Sequence, residues 1–401
     1  MANNILTIDM ITRKALEILE NSLVLTRNVN RQYDDSFAVQ GAKIGTTLRI
    51  RLPDRALVTD GAALQVQDDN EQFTTLTVAS QKHIGVNFTT AEMTMQLDDF
   101  AERVLKPRIS QLAASIDADV ANSFQGIFQS VGTPGTTPSS TQVLLAANQK
   151  LNEAAAVMSP RYVTVNPAAN AALIEGMKGL FNPVSTISAQ FKNGMFGEGI
   201  LGFNELNMSQ SVKQFTTGSR TGAHTVTTTV ATQGASSIAI TGTGTQTIKK
   251  GDVFTIADCY AVNPQTREST GSLQQFVVTE DVTAVAGAYA TVKISPAIYT
   301  ASNALATVDS FPVAGKTVTF LGSASTQYPQ NLVYHRDAIA FATADLLMPQ
   351  GVDMASRQVH NGISMRVVRQ YDINNDRMPC RIDVLYGYSV IRPQMACRIW
   401  G

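Results

Sequence analysis

The sequence predicts an α+β chain in which an all-β module interrupts a mixed host domain, and three observations carry this. Residues 225–230, 237–244 and 251–256 are Thr- and Val-rich alternations punctuated by glycine, the pattern of short twisted strands. The flanks differ: residues 8–19 and 97–129 carry apolar positions at three- and four-residue steps, the helical period. After about residue 331 the mixed pattern resumes, with long alternations over residues 364–371 and 380–388. Few folds place an all-β module between two halves of a host.

Taken in order, Ile8, Ile11, Ala15, Ile18 and Leu19 form the apolar stripe of a first helix, with Thr7 or Asp9 near its cap. Residues 28–36 are polar and read as an arm. Residues 46–53 alternate with period two until Pro53 closes the run, and residues 73–78 and 86–88 alternate again. The polar segment 54–71 between them predicts a long β-hairpin with an extended tip, which has too little apolar surface to stand alone. The longest helix is expected over residues 97–129, where Ile109, Leu112, Ile116, Val120, Phe124 and Ile127 continue one stripe. Pro107 marks a kink or restart. A loop at 132–140, a helix at 142–158, a buried strand at 161–165 and a short helix at 168–176 follow. Residues 181–202 are a Gly- and Asn-rich loop of the kind that carries contacts.

Inside the module, residues 248–256 read as a tight turn feeding a strand, and residues 273–279 and 289–295 as two more. About six strands in about 115 residues fit a small β-barrel. Residues 335–347 look mainly helical or edge-like, and Arg392-Pro393 turns the chain into a final short strand.

With 401 residues the chain has length for two domains and more than one core. Only 16% of residues are charged, against roughly 25% in globular domains, which leaves small and polar surface of the sort partner subunits cover. A net charge of −1 argues against a dedicated nucleic-acid binder. No run of 18 apolar residues marks a membrane span. Cys259, Cys380 and Cys397 are too few and too scattered for a disulfide framework or zinc ribbon and are expected as free, buried thiols. The first residues lack the basic and apolar regions of a secretory signal, so a reducing cytoplasm is the expected place of synthesis.

The chemistry-bearing residues do not converge on a catalytic pattern. There is no P-loop, HExxH, CxxC or GxSxG motif, and His83, His224, His335 and His360 are far apart in sequence. Asp68, Asp69 and Glu71 read as a solvated hairpin tip, because no glycine turn spaces them as cation ligands. Asp98 and Asp99 suit the start of a helix. The expectation is a protein without catalytic residues, cofactor or metal. The residues that remain make contacts: Arg49, Arg51 and Arg55 beside Asp54 and Asp60 on the hairpin, and Lys249, Lys250 and Asp252 at the turn entering the module. These are the candidate subunit-contact residues. Exposed pairs of this kind contribute about 0–1 kcal/mol each, enough to set register when repeated over many subunits.

The order of parts (arm, extended hairpin, long helix, α/β domain, inserted barrel, closing strands) resembles the tailed-phage major capsid protein of the Hong Kong 97 fold. The resemblance is to the coat family of short-tailed phages that carries an insertion domain. Residues 249–257, 261–266 and 276–278 are similar to that insertion, residues 113–122 to the spine helix, and residues 380–393 to the closing strand. The resemblance implies an N-terminal arm (1–36), an extended loop (37–90), a spine helix with the first part of the axial domain (91–214), an inserted β-barrel (215–330) and the remaining axial and peripheral strands (331–401). It implies hexamers and pentamers of the chain itself, a procapsid built on a scaffolding protein, and a portal protein at one vertex. The shell would expand around double-stranded DNA contacted non-specifically, with assembly in the host cytoplasm, the virion as destination and no membrane. In relatives the insertion carries a long charged loop; the corresponding stretch here, about residues 231–247, is short and nearly uncharged. A nanocompartment shell of the same fold and a secreted adhesin are the alternative readings.

Overall fold

Two units share the chain, each stitched together from separate stretches: residues 1–50, 73–120 and 339–389 in one, residues 51–72, 121–338 and 390–401 in the other. The computed structural model describes residues 8–31, 47–59, 61–62, 66, 71–89, 106–176 and 198–401.

The first unit is built on a five-stranded sheet whose centre is the long strand Arg377–Val390. It pairs antiparallel with Ser80–Thr89 along one edge and with Ile363–Arg369 along the other, Met354–His360 extends the sheet beyond Ile363–Arg369, and Ile339–Ala344, also bonded to the long strand, is the fifth. Helix α1 (Ile8–Ser22) lies against the Met354–His360 and Ile363–Arg369 strands, with Ala15, Leu16 and Leu19 buried at the spacing expected. A single turn of helix, α2 (Leu25–Asn28), has no cap from its own first residue. Asp117 of helix α3 (Lys106–Ala121) supplies it instead, accepting from the amides of Val24 (2.6 Å) and Thr26 (2.9 Å) and from the Thr26 hydroxyl. Burial pushes the Asp117 carboxyl up, opposed by these hydrogen bonds. Asp119, one half-turn on, meets Lys82 at 2.6 Å and the Tyr386 hydroxyl at 2.6 Å, which ties α3 to two strands of the sheet.

Asp383 sits fully buried in the central strand between Arg366 (2.7 Å) and Arg381 (2.6 Å). Burial pushes its carboxyl up, but the hydrogen bonds and charges of the two arginines outweigh that and the net shift is downward. A carboxyl whose folded pKa lies below its unfolded value stabilises the fold above about pH 4, and the contribution is lost as pH falls through the folded value. Urea unfolding of the free chain should therefore show stability dropping below about pH 4, with a shallower drop in Asp383→Asn. Parallel acid limbs would show that another carboxylate carries the sensitivity.

The second unit has two layers. One is a mixed sheet of six strands in the order Ser130–Val131, Ala396–Ile399, Asn331–His335, Arg161–Val165, Phe203–Met208 and Glu198–Ile200. Its inner strands Asn331–His335 and Ala396–Ile399 are buried at every residue. Helix α4 (Thr141–Glu153) packs on Ala396–Ile399 and is capped by the Ser140 hydroxyl, which accepts from the Gln142 amide at 3.1 Å. Helix α5 (Pro167–Gly176) begins with proline at its first position and Asn166 as cap, the side chain accepting from the Ala169 amide at 3.0 Å.

The other layer is a six-stranded antiparallel sheet, its strands labelled in chain order β1 (His224–Thr225), β2 (Ala235–Thr241), β3 (Val253–Val262), β4 (Ser269–Val278), β5 (Ala288–Ile298) and β6 (Thr317–Phe320). They run in the order β2-β5-β4-β3-β6-β1. A bridge between Val226, just past β1, and Ile240 of β2 joins the two outer strands, so the sheet closes on itself as a barrel. The period-two alternation read in the sequence points Phe254 and Ile256 of β3, Phe276 and Val278 of β4, and Val292 and Ile294 of β5 into one core. Phe254 stacks on Phe276 with ring centroids 5.7 Å apart.

Several elements differ from the sequence expectation. Helix α3 ends at Ala121 and passes into the 3-10 turn Asn122–Gly126. Asn122, Ser123 and Gly126 are weak helix formers, and a side chain at Gly126 would meet Val390 at 3.1 Å. Helix α4 stops at Glu153, because Ala155 takes a left-handed φ of 54° and the Ala156 amide closes back on Leu151. Residues 335–347 are not helical: after the short turn Arg336–Ala338 comes the strand Ile339–Ala344, whose residues are mostly buried and so show no alternation. The strand expected over residues 225–230 is confined to His224–Thr225, and within residues 231–247 the segment Ala235–Thr241 is strand β2 rather than loop. Asn30, read as part of a free arm, bridges to Ala340. Residues 32–46, the start of the long helix at 97–105 and most of the loop at 181–202 lie outside the described residues.

Candidate assembly surfaces and a buried charge cluster

The hairpin strands Thr47–Arg51 and Phe73–Thr77 pair as a two-stranded ribbon, as their alternation predicts. Arg49 is exposed, its guanidinium 3.5 Å above the Phe73 ring. Arg51 and Glu71 form an exposed pair at 3.3 Å, worth at most about 1 kcal/mol within one chain. Asp54 is exposed, Arg55 is half-buried, and Asp60 lies outside the described residues, as do Asp68, Asp69, Asp98 and Asp99.

The turn at Lys249 to Asp252 is tight, as read: the Asp252 amide donates to the Lys249 carbonyl at 3.0 Å, and Gly251 takes a φ of 99° that the third position of such a turn demands. Lys250 is exposed and Lys249 half-buried. Asp252 departs from the expectation. It is 1% exposed and cannot serve as an outward contact, because its carboxylate is engaged inside the second unit. One oxygen accepts from the amides of Gly218 (3.1 Å) and Lys249 (2.9 Å); the other faces the Arg220 guanidinium at 3.2 Å, as an ion pair without hydrogen-bond alignment.

Two arginines complete this cluster. Arg220 also donates to the Leu321 carbonyl at 2.8 Å and lies over the Phe320 ring of β6. Arg398, in the closing strand Ala396–Ile399, is 1% exposed and donates to the Gly251 carbonyl at 2.8 Å, with its guanidinium carbon 5.2 Å from the Phe124 ring centre. Burial pushes the Asp252 carboxyl up and both arginines down, each partly restored by its opposite charge, and Arg398 is lowered to about 9. At that value Arg398 remains protonated at neutral pH, so the cluster joins barrel and sheet with charged groups. Beside it Phe128, Val253 and Val277 form a small apolar core, and Gln275 of β4 accepts from the Ser130 amide at 2.7 Å and donates to the Ser130 carbonyl at 3.1 Å. The only sequence signal for the cluster was an arginine inside the otherwise apolar closing strand; Arg220 and Asp252, 32 residues apart by number, gave none.

The remaining reactive groups are held in structural roles. Burial pushes the Cys259 and Cys397 thiols up to about 12 and the half-buried Cys380 up to about 11, which keeps them protonated and unreactive. His335 lies near Asp337, but its Nδ1 accepts from the Asp337 amide at 3.1 Å, the reverse of the donation by which a carboxylate orients a catalytic histidine. Among the described residues no group of three or more His, Cys, Asp or Glu is placed to hold a metal, and no helix is long and apolar enough to cross a membrane.

The geometry amounts to a closed barrel fastened to a mixed sheet by a buried charge cluster, and a hairpin ribbon that carries exposed charges. Residues 1–401 match the P22 coat protein family (gene protein 5), and the chain belongs to that family. It is similar to the major capsid protein of Acyrthosiphon pisum secondary endosymbiont phage 1, at 22% identity over 426 residues covering 100% of both chains. Among solved structures it is similar to one from Mycobacterium phage Che8 (13% identity, 94% of this chain and 90% of that one, TM-score 0.48). It is also similar to the CUS-3 coat protein I-domain (28% identity, 26% of this chain and 98% of that one, TM-score 0.20). The chain is thus a phage major capsid protein of mixed α+β architecture, a component of the virion that assembles with copies of itself.

Proposed function

We propose that the chain builds an icosahedral shell of hexamers and pentamers around double-stranded DNA. In this reading it assembles in the host cytoplasm as a procapsid on an internal scaffolding protein, with a portal protein at one vertex, and expands on packaging. Residues 1–36 act as the arm, 37–90 as the extended loop that laps a neighbour, 91–214 and 331–401 as the spine, peripheral and axial parts, and 215–330 as an inserted barrel that stabilises the free subunit. The observation that carries this reading is the match to a coat-protein family along the whole chain. The exposed hairpin charges Arg49, Arg51 and Asp54, with Lys249 and Lys250, are the proposed inter-subunit contacts; each alone is weak, which suits a shell whose contacts must rearrange.

Electron microscopy of the purified chain, alone and with its scaffolding partner, tests the proposal. Closed shells of uniform size are expected only with the scaffold, and open sheets, tubes or polydisperse shells without it. Monomers under both conditions would refute it, and uniform shells without scaffold would remove the scaffolding step.

A further inference from the structure

The second unit contains a cleft of about 130 Å³ between helix α4 and the barrel, and two cations line it against a single carboxylate among the described residues. Arg55, from the segment after the first hairpin strand, and Lys150 of α4 both line it, with Glu153 one helical turn from Lys150. Arg55 makes no ion pair or hydrogen bond with any described residue. The Lys150 ammonium makes no ion pair or hydrogen bond with any described residue either, and the Glu153 carboxylate is the one anion that opposes its burial. Burial pulls both cations down from their ordinary values. Gln129, 7% exposed, lines the same cleft with its Oε1 unpartnered. Phe128 and Leu273 supply apolar wall.

Taking cations partly out of water is costly unless anions pair with them, and Glu153 can offset only one of the two. Arg55, Lys150 and Glu153 leave one net positive charge, which suits a monoanion; a doubly charged phosphate would bring its second charge against Glu153. A planar carboxylate matches the fork of an arginine. Rotating the Gln129 amide by half a turn would offer its Nε2 as a further donor, and Oε1 has no bond to lose. At about 30 Å³ per water in the liquid, the cleft has room for about four to six heavy atoms, a carboxylate with a short aliphatic stem.

We propose that this cleft binds the carboxylate of a short aliphatic acid, with Arg55 and Lys150 as its cationic contacts and Phe128 and Leu273 against the stem. The chemistry has two sources, a free monocarboxylate or the glutamate side chain of a second copy of the chain; the second source rests on the shell-forming reading above.

Calorimetric titration of the full-length unassembled chain with sodium butyrate, against sodium chloride at equal ionic strength, tests it. Butyrate should bind above the chloride background, at least tenfold more weakly to Arg55→Met and to Lys150→Met, and more tightly to Glu153→Gln. Thermal melts of the two methionine variants should match or exceed the wild type, since each removes a cation that burial penalises, so lost binding would not reflect lost folding. No binding above chloride, or unchanged binding in both methionine variants, would overturn the proposal. Repeating the titration on assembled particles separates the sources. Binding to the free chain but not to shells identifies a side chain of a second copy, and binding to both identifies a free acid. If no shells form, the assembly reading fails while binding by the free chain still stands.

Discussion

Replacing Asp252 with alanine is expected to lower the stability of the free subunit by about 3–5 kcal/mol. The loss has two parts. The amides of Gly218 and Lys249 lose their shared acceptor, and Arg220 and Arg398 are left as buried charges without an anion. At roughly 2–4 °C per kcal/mol for a unit of this size, the thermal midpoint should fall by about 10 °C or more. Asp252→Asn keeps the shape and one acceptor oxygen but not the charge, so it should fall between alanine and wild type. The triple replacement Arg220→Met, Asp252→Leu, Arg398→Met should recover most of the loss, because exchanging a whole buried ion cluster for apolar side chains is often near neutral. An alanine variant within 1 kcal/mol of wild type in urea unfolding would show that the cluster is solvated and does not fasten the layers.

Removing the barrel should have a still larger effect. Its entry and exit are close in space: Gln214–Thr216 pairs antiparallel with Gln327–Pro329, with Phe215 opposite Tyr328. Residues 217–326 can therefore be exchanged for an Asn-Gly turn that closes these strands as a hairpin, so strain in the join does not explain the outcome. What is lost is the other half of the joint. Phe128 loses Val253 and Val277, Ser130 loses both bonds to Gln275, and Arg398 loses the Gly251 carbonyl and the Asp252 charge while still buried in its sheet. The shortened chain is expected to be recovered mainly as insoluble material, and any soluble fraction to form irregular particles. Soluble chain that assembles into normal shells, by sedimentation and electron microscopy, would refute a stabilising role for the barrel.

Periodicity made the strands of the barrel, the hairpin ribbon and the buried stripe of helix α3 legible, because each presents one face to a core and so alternates or repeats. Where a strand is buried on both faces for most of its length, as Ile339–Ala344 is, the alternation vanishes and the sequence leaves helix and edge strand undistinguished. Helix ends were misplaced where local chemistry overrode the stripe, at Asn122–Gly126 and at Ala155. Of the hairpin charges, Arg49 and Arg51 lie on the ribbon strand, Asp54 and Arg55 follow it, and Asp60 lies outside the described residues. Among the described contact candidates, Asp252 is the one the fold buries fully.

By itself the sequence determined the order of parts and, from that order, the coat-protein resemblance that the family match bore out. Those features follow from short-range pattern, which a single chain displays openly. Only the tertiary structure decided which charges meet: Arg220, Asp252 and Arg398 at the joint, Lys82 and Asp119 beside the Tyr386 hydroxyl, Arg55 and Lys150 in one cleft. A charge's energy depends on its distance to others and on how far it is removed from water, and both are set by residues distant in sequence that folding brings together.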